Sequence, residues 1–279
     1  MPFKTISGQP LYYRDEGKGF PVLLGHSYLW NSSMWEPQIT VLSKKYRVIA
    51  PDLWGHGRSG KLPNDSWALS DIAHHMLRLL DELDIQQCAM VGLSVGGMWG
   101  AELALMAPER IRCLVLMDTY LGAEPPLARI GYFKMLEQIY DAGAISSILL
   151  DRIVPLFFHP EINLDSALPS VFRSELAQFS AKQLRENIVP LGQMTFGRKN
   201  KLQSLRELDS QSTLLMCGQH DIPRPPAETL EMAQRIGCEY KLIPKAGHIS
   251  NLENPNFVNE ALLAFIRKHA LSPSCTTPS

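Results

Sequence analysis

The chain has no surplus of charge of either sign: 27 basic against 28 acidic residues leave a formal net charge of -1 over 279 residues. Without a basic field there is little to draw phosphate backbones or anionic bilayers, so neither nucleic acid nor membrane is expected as a partner. It also lacks any uninterrupted apolar stretch of bilayer length, and its opening MPFKTISGQP has no basic segment followed by an apolar one. Secretion and membrane insertion are therefore not expected. Cysteine is sparse. The five present, Cys88, Cys113, Cys217, Cys238 and Cys275, are odd in number and show no metal-type spacing. Four of them fall in apolar or periodic segments, which reads as reduced core thiols in a cytoplasmic protein. Internal repeats and low-complexity tracts are absent too, which argues against stacked-repeat architectures.

What is present is the material for a large core, with 45% hydrophobic and 20% charged residues. One large α/β domain is the natural expectation for this length. Short, nearly continuous apolar runs recur at 20–25, 46–51, 88–93, 113–118, 213–218 and 239–244. Such runs suit parallel strands buried on both faces. Helical periodicity fills the gaps at 71–84, 98–110, 227–237 and 256–269, and this alternation predicts a mostly parallel, doubly wound open sheet. The opening FKTISGQPLYYRDEG alternates more strongly around a Ser-Gly turn signal, which predicts a leading antiparallel hairpin. Between about Tyr120 and Leu208 the pattern is helical without a convincing strand. A helical cap over 121–204, inserted into a core of 1–120 and 205–279, is expected, and its aromatics and methionines (Tyr132, Phe133, Met135, Phe157, Phe158, Phe172, Met194, Phe196) are candidates to wall an apolar pocket. The tail LSPSCTTPS is expected to fray.

VGLSVGG, Val91 to Gly97, lies between a predicted strand and a predicted helix, the context of a Gly-x-Ser-x-Gly nucleophile elbow. A serine held on so tight a turn needs neighbours without side chains at two positions before and after it, here Gly92 and Gly96. Ser94 is the candidate nucleophile, and the N–H of Val95 opens the following helix, where developing negative charge is favoured. A serine hydroxyl needs a base at neutral pH, and histidine titrates in the right range. Of eight histidines, His248 in KAGHISNLENP follows the last predicted strand at the correct edge of the sheet. His26 and His56, in loops at the same edge, are weaker rivals; His74, His75 and His269 read as surface residues, and His220 as a turn residue. A carboxylate must orient the imidazole. Asp221 in LLMCGQHD is favoured because Ser, Asp and His then fall on three successive strand ends, with Asp118 in LVLMDT as the alternative.

With these residues assembled, the chain resembles the α/β-hydrolase superfamily over nearly its whole length, through PDLWGHGRSG, GLSVGG, APERIRCLVLMD, CGQHD and AGHISNLENP. The resemblance implies a sheet of about eight strands, the cap after the sixth, a serine hydrolase with an acyl-enzyme intermediate, and neither metal nor organic cofactor. It also implies a structural rather than catalytic use of the PDLWGHGRSG loop, with Asp52 and His56. The stretches MWEPQI, GLSVGGMWG, HDIPRPPAE and AGHISNLENPNFVNEALLAFI are similar to 3-oxoadipate enol-lactonases and related small carboxylesterases. Those lactonases generally carry an arginine where this chain has Trp54, so a neutral or apolar ester is the expected substrate. The oxyanion hole is expected from the N–H groups of Val95 and of Tyr28 after the GHS turn. Ser27, Trp30, Tyr120 and Ile249 are candidate substrate contacts. Enol-lactones and carbon–carbon substrates stay open as alternatives, as do a noncatalytic receptor on the same fold and assembly into a homo-oligomer.

Overall fold

The computed structural model describes residues 2–270. Ser7 and Gly8, both with positive φ, turn the chain between β1 (Phe3–Ile6) and β2 (Gln9–Glu16), the antiparallel hairpin that alternation predicted. Six further strands follow: β3 (Pro21–Gly25), β4 (Arg47–Pro51), β5 (Cys88–Leu93), β6 (Ile111–Met117), β7 (Thr213–Gly218) and β8 (Glu239–Ile243). Together they form one eight-stranded sheet in the order β1-β2-β4-β3-β5-β6-β7-β8, parallel from β4 onward. Every residue of β5 and β7 is buried, which is why these strands read as unbroken apolar runs.

Helices α1 (Glu36–Leu42), α2 (Leu69–Glu82) and α3 (Val95–Met106) connect the first half of the sheet. The periodic segment at 98–110 overran its helix: α3 ends at Met106 and Pro108–Arg110 form a short 3-10 turn, because proline disfavours α conformation in the residue before it. Between β6 and β7 the described chain holds no strand. It runs through α4 (Pro126–Ala142), α5 (Ser147–Ile153), α6 (Ala167–Ala177), α7 (Ala181–Gln183), a π turn at Leu184–Ile188 and α8 (Val189–Phe196). The last part of the core adds α9 (Pro226–Ile236), the short α10 (Ser250–Glu253) and α11 (Pro255–Ala270). Cys88, Cys113 and Cys217 are buried, Cys238 is half-buried, and all four are free thiols. Cys275 and the tail expected to fray lie outside the described residues. No helix among the described residues is long and apolar enough to cross a membrane.

Candidate active site

Strand β5 delivers the chain to Ser94, which has φ 57 and ψ -119 and forms the N-cap of α3. A residue with a side chain stays in that region only when its surroundings hold it there. Here the Ser94 N–H donates to the Met117 carbonyl at 2.9 Å, and its own carbonyl accepts from Thr119 Oγ1 at 2.7 Å. The flanking glycines follow from crowding. A Cβ on Gly92 would collide with the Gly96 carbonyl, and one on Gly96 with the Gly25 carbonyl. Helix α3 therefore packs tightly against β3 and β5.

Ser94 Oγ lies 3.0 Å from His248 Nε2, and His248 Nδ1 lies 2.9 and 3.1 Å from the two Asp221 carboxylate oxygens. With Nδ1–H donating to the carboxylate, Nε2 keeps the lone pair that a serine proton needs. All three side chains are buried, and Asp221 Oδ1 also accepts from the Arg224 N–H at 2.9 Å. The arrangement can polarise the serine hydroxyl and stabilise an imidazolium in a water-poor setting. Asp118 makes a different set of bonds: Oδ1 accepts from the Gly218 N–H at 2.7 Å and Oδ2 from the Ser250 hydroxyl. It makes no bond to His248 and instead ties the end of β7 to the segment after the histidine. Asp118, Asp221 and Cys217 are close enough to resemble metal ligands. All four carboxylate oxygens are already engaged by groups of the protein.

His26 and His56, the rival histidines at this edge, are held in the neutral form. His26 Nδ1–H donates to the Ser27 carbonyl at 2.8 Å while Nε2 accepts from Leu53 N–H at 2.7 Å. His56 donates through Nδ1 to the Trp54 carbonyl and accepts Leu29 N–H at 3.2 Å. Burial lowers their pKa values to about 4 and about 3. They hold the loop after β3, where Leu29 has φ 70, and Asp52 supports the same region by accepting the N–H groups of Ser32 and Arg58. Ser27 N–H and Leu29 N–H are engaged by Met34 Sδ and His56, whereas those of Tyr28 and Val95 donate to no acceptor among the described residues. His75, expected on the surface, is buried against Trp54 and faces Asp65 at 3.3 Å.

A cavity between sheet and cap exposes Ser94 and His248 and is lined by Ser27, Tyr28, Met98 and a wall of cap residues. Of the eight cap residues expected there, Tyr132, Met135, Phe157 and Phe196 line it; Phe133, Phe158, Phe172 and Met194 do not. Three of the four candidate substrate contacts also lie elsewhere. Trp30 is stacked on Phe172 at 4.3 Å, where it fastens the cap to the core, and Tyr120 turns outward to donate to Glu231 at 2.8 Å. Ile249 is fully buried, with its N–H bonded to the Phe157 carbonyl. Their proximity in sequence to site residues did not fix the direction of their side chains. Ser27 does line the cavity, but its hydroxyl makes only a long contact of 3.5 Å with the Tyr28 carbonyl. Trp54 is fully buried and does not line the cavity.

Sequence reasoning missed one charged cluster on this wall. Glu124, on the approach to α4, pairs with Arg198 Nη1 at 2.6 Å and with Arg224 Nη2 at 2.9 Å. These groups come from three separate loops, so neither spacing nor periodicity signals their meeting.

An alpha/beta hydrolase fold family model matches residues 21–255. The chain belongs to the α/β hydrolase fold family. Its curated relatives include a putative carbamate hydrolase RutD of Azorhizobium caulinodans, 28% identical over 95% of this chain and 98% of the relative. Among solved structures, an esterase from Thermogutta terrifontis shares 25% identity with a TM-score of 0.81 over 96% of this chain and 98% of that one. An enol-lactonase from Burkholderia xenovorans LB400, at 24% identity and a TM-score of 0.82, covers 95% of this chain and 100% of its own, and supports the fold. As a member of this family the α/β hydrolase is an enzyme of hydrolytic type.

Proposed function

We propose that this α/β hydrolase cleaves a small to medium, uncharged carboxylic ester through an acyl-enzyme on Ser94. The observation that carries the reading is the relay from Ser94 Oγ to His248 Nε2 at 3.0 Å and from His248 Nδ1 to Asp221 at 2.9 Å. In this mechanism Ser94 attacks the ester carbonyl while His248 takes its proton and Asp221 steadies the imidazolium. The oxyanion is met by the unengaged N–H groups of Tyr28 and Val95, an arrangement in which each donor typically accounts for about 10²–10³ in turnover. His248 then protonates the departing alcohol, activates a water that displaces the acyl group, and returns the proton to Ser94. No step requires a cofactor. The test is Ser94→Ala assayed on short-chain p-nitrophenyl esters, with fluorophosphonate labelling of the native protein. Loss of turnover in the variant and stoichiometric labelling at Ser94 are expected; undiminished turnover in Ser94→Ala refutes the reading.

Carbamate cleavage is the second reading, favoured by the relative named as a putative carbamate hydrolase. It would use the same serine relay: the alcohol or phenol leaves as a carbamoyl-enzyme forms on Ser94, and water then releases the carbamic acid, which breaks down to amine and carbon dioxide. Matched phenyl carbamates and phenyl esters separate the two by their kcat/KM.

A further inference from the structure

The cavity wall is mostly apolar, and apart from the Ser27 and Tyr132 hydroxyls the uncharged polar side chains on it are spent on protein partners. Thr195 Oγ1 donates to the Leu191 carbonyl at 2.8 Å, and Ser94 and His248 serve each other. Arg224 is different. It lines the cavity, its side chain is 8% exposed, and its Nη2 is held by Glu124. Its Nε donates to the Pro223 carbonyl and faces Glu228 Oε2 at 3.5 Å. Its Nη1 is buried and makes no well-formed hydrogen bond among the described residues, the Tyr132 hydroxyl on the same wall being the polar group set against the guanidinium.

A guanidinium cannot shed a proton to escape this position, and a buried donor left unmet is costly. Arg198 Nη2 in the same cluster is likewise unmet, and what separates Arg224 is that it lines the cavity while Arg198 does not. The surroundings also set the charge of the missing partner. Arg198 and Arg224 face Glu124 and Glu228, two cations against two carboxylates, so a further anion would leave the buried cluster with surplus negative charge.

We propose that Arg224 Nη1 is a substrate-recognition donor, and that the substrate carries, besides its scissile carbonyl, a second and uncharged oxygen acceptor such as an oxo, hydroxyl or amide oxygen. The inference rests on the serine ester hydrolase reading of the same cavity. It replaces a wholly apolar acyl group by one that is apolar along its length and polar at one point. Arg224 thereby acts on selectivity: a site built around a donor discriminates against an analogue that leaves the donor unpaired.

The experiment compares methyl hexanoate, its 4-oxo and 5-oxo analogues, in which the ketone is too far away to activate the ester carbonyl, and monomethyl glutarate, as substrates of the native protein and of Arg224→Met. The native protein is expected to favour one oxo ester over methyl hexanoate by about tenfold or more in kcat/KM. Arg224→Met brings that ratio to near one. The ratio is internal to each protein, so a partly folded variant does not distort it. No oxo preference in the native protein, or a preference that survives in Arg224→Met, overturns the proposal. Fastest cleavage of the glutarate overturns the uncharged acceptor. If methyl hexanoate is cleaved in a Ser94-dependent way without any oxo preference, the ester hydrolase reading stands and the recognition role falls. If no ester is cleaved, both fall.

Discussion

Asp118 and Asp221 sit just beyond neighbouring strands, with one donor atom of each and Cys217 Sγ all within 4.8 Å of one another, yet only Asp221 meets His248. Burial first, and then the charge of Asp221, pushes the Asp118 carboxyl well above its ordinary range. For a carboxyl whose pKa is raised on folding, the stabilising contribution is present below the ordinary value of about 3.9 and is lost as pH rises through the native value. Asp118→Asn removes that ionisation and keeps an oxygen for the Gly218 N–H. The melting temperature of the variant minus that of the native protein should therefore become more positive between about pH 4 and about pH 8. A difference that stays flat or shrinks with pH, followed by circular dichroism, contradicts this account.

His26 and His56 act in the opposite direction. Their pKa values fall on folding, to about 4 and about 3, so the stability they contribute is present above the unfolded value of about 6.5 and is lost as pH falls below it. Protonation would also remove the Nε2 acceptors of Leu53 and Leu29 N–H. His56→Gln should reduce the loss of stability between about pH 6.5 and about pH 4 by an amount on the order of 3 kcal/mol or less. Denaturant titrations at a series of pH values measure that slope; an unchanged slope would remove His56 from the linkage.

Glu124 is 1% exposed at its side chain, between Arg198 at 5% and Arg224 at 8%. Removing the shared anion strands two buried cations, which typically costs about 3–5 kcal/mol. Glu124→Ala should therefore lower stability by that order in urea unfolding, and added salt should not restore it, because buried pairs are weakly screened. A cost of a few tenths of a kcal/mol would mean that the cluster is more hydrated than the geometry indicates.

Ser94 holds a conformation that favours glycine, so its backbone stores strain of about 1–3 kcal/mol. Ser94→Ala keeps the Cβ and most of the strain; Ser94→Gly releases it, less about 0.4–1 kcal/mol for the freer unfolded chain. Both variants should be inactive toward esters, and the glycine variant should melt higher than the alanine variant by about 2 °C. Equal melting temperatures would show that the turn is relaxed.

The sheet was legible because strands buried on both faces leave unbroken apolar runs, as in CAMVGL and TLLMCG. The elbow was legible because Gly92 and Gly96 answer a local steric demand within one turn. Asp221 and His248 followed from the order of strand ends. Side-chain direction was not legible: Trp30 and Tyr120 adjoin site loops in sequence but point to the cap and to Glu231. Nor was the meeting of Glu124, Arg198 and Arg224, since three loops far apart in sequence supply them. Trp54 looked informative as the replacement of a cation, but it packs against His75 away from the cavity. The cation that does reach the cavity stands at position 224.

Tyr28 belongs to two structures at once. Its N–H donates to no acceptor among the described residues, it lines the cavity with Ser94, and its hydroxyl is bonded to the Ile188 carbonyl of the cap at 2.7 Å. Glu253 makes a similar splice, its two oxygens holding Gly247 N–H beside the histidine and His159 N–H of the cap, each at 2.7 Å. A cap that swings aside must therefore pull on both the donor loop and the base loop. The seating of the cap and the shape of the reacting site are thus mechanically one: a substitution that loosens the cap contact at Ile188 or His159 also loosens a backbone segment beside Ser94 or His248.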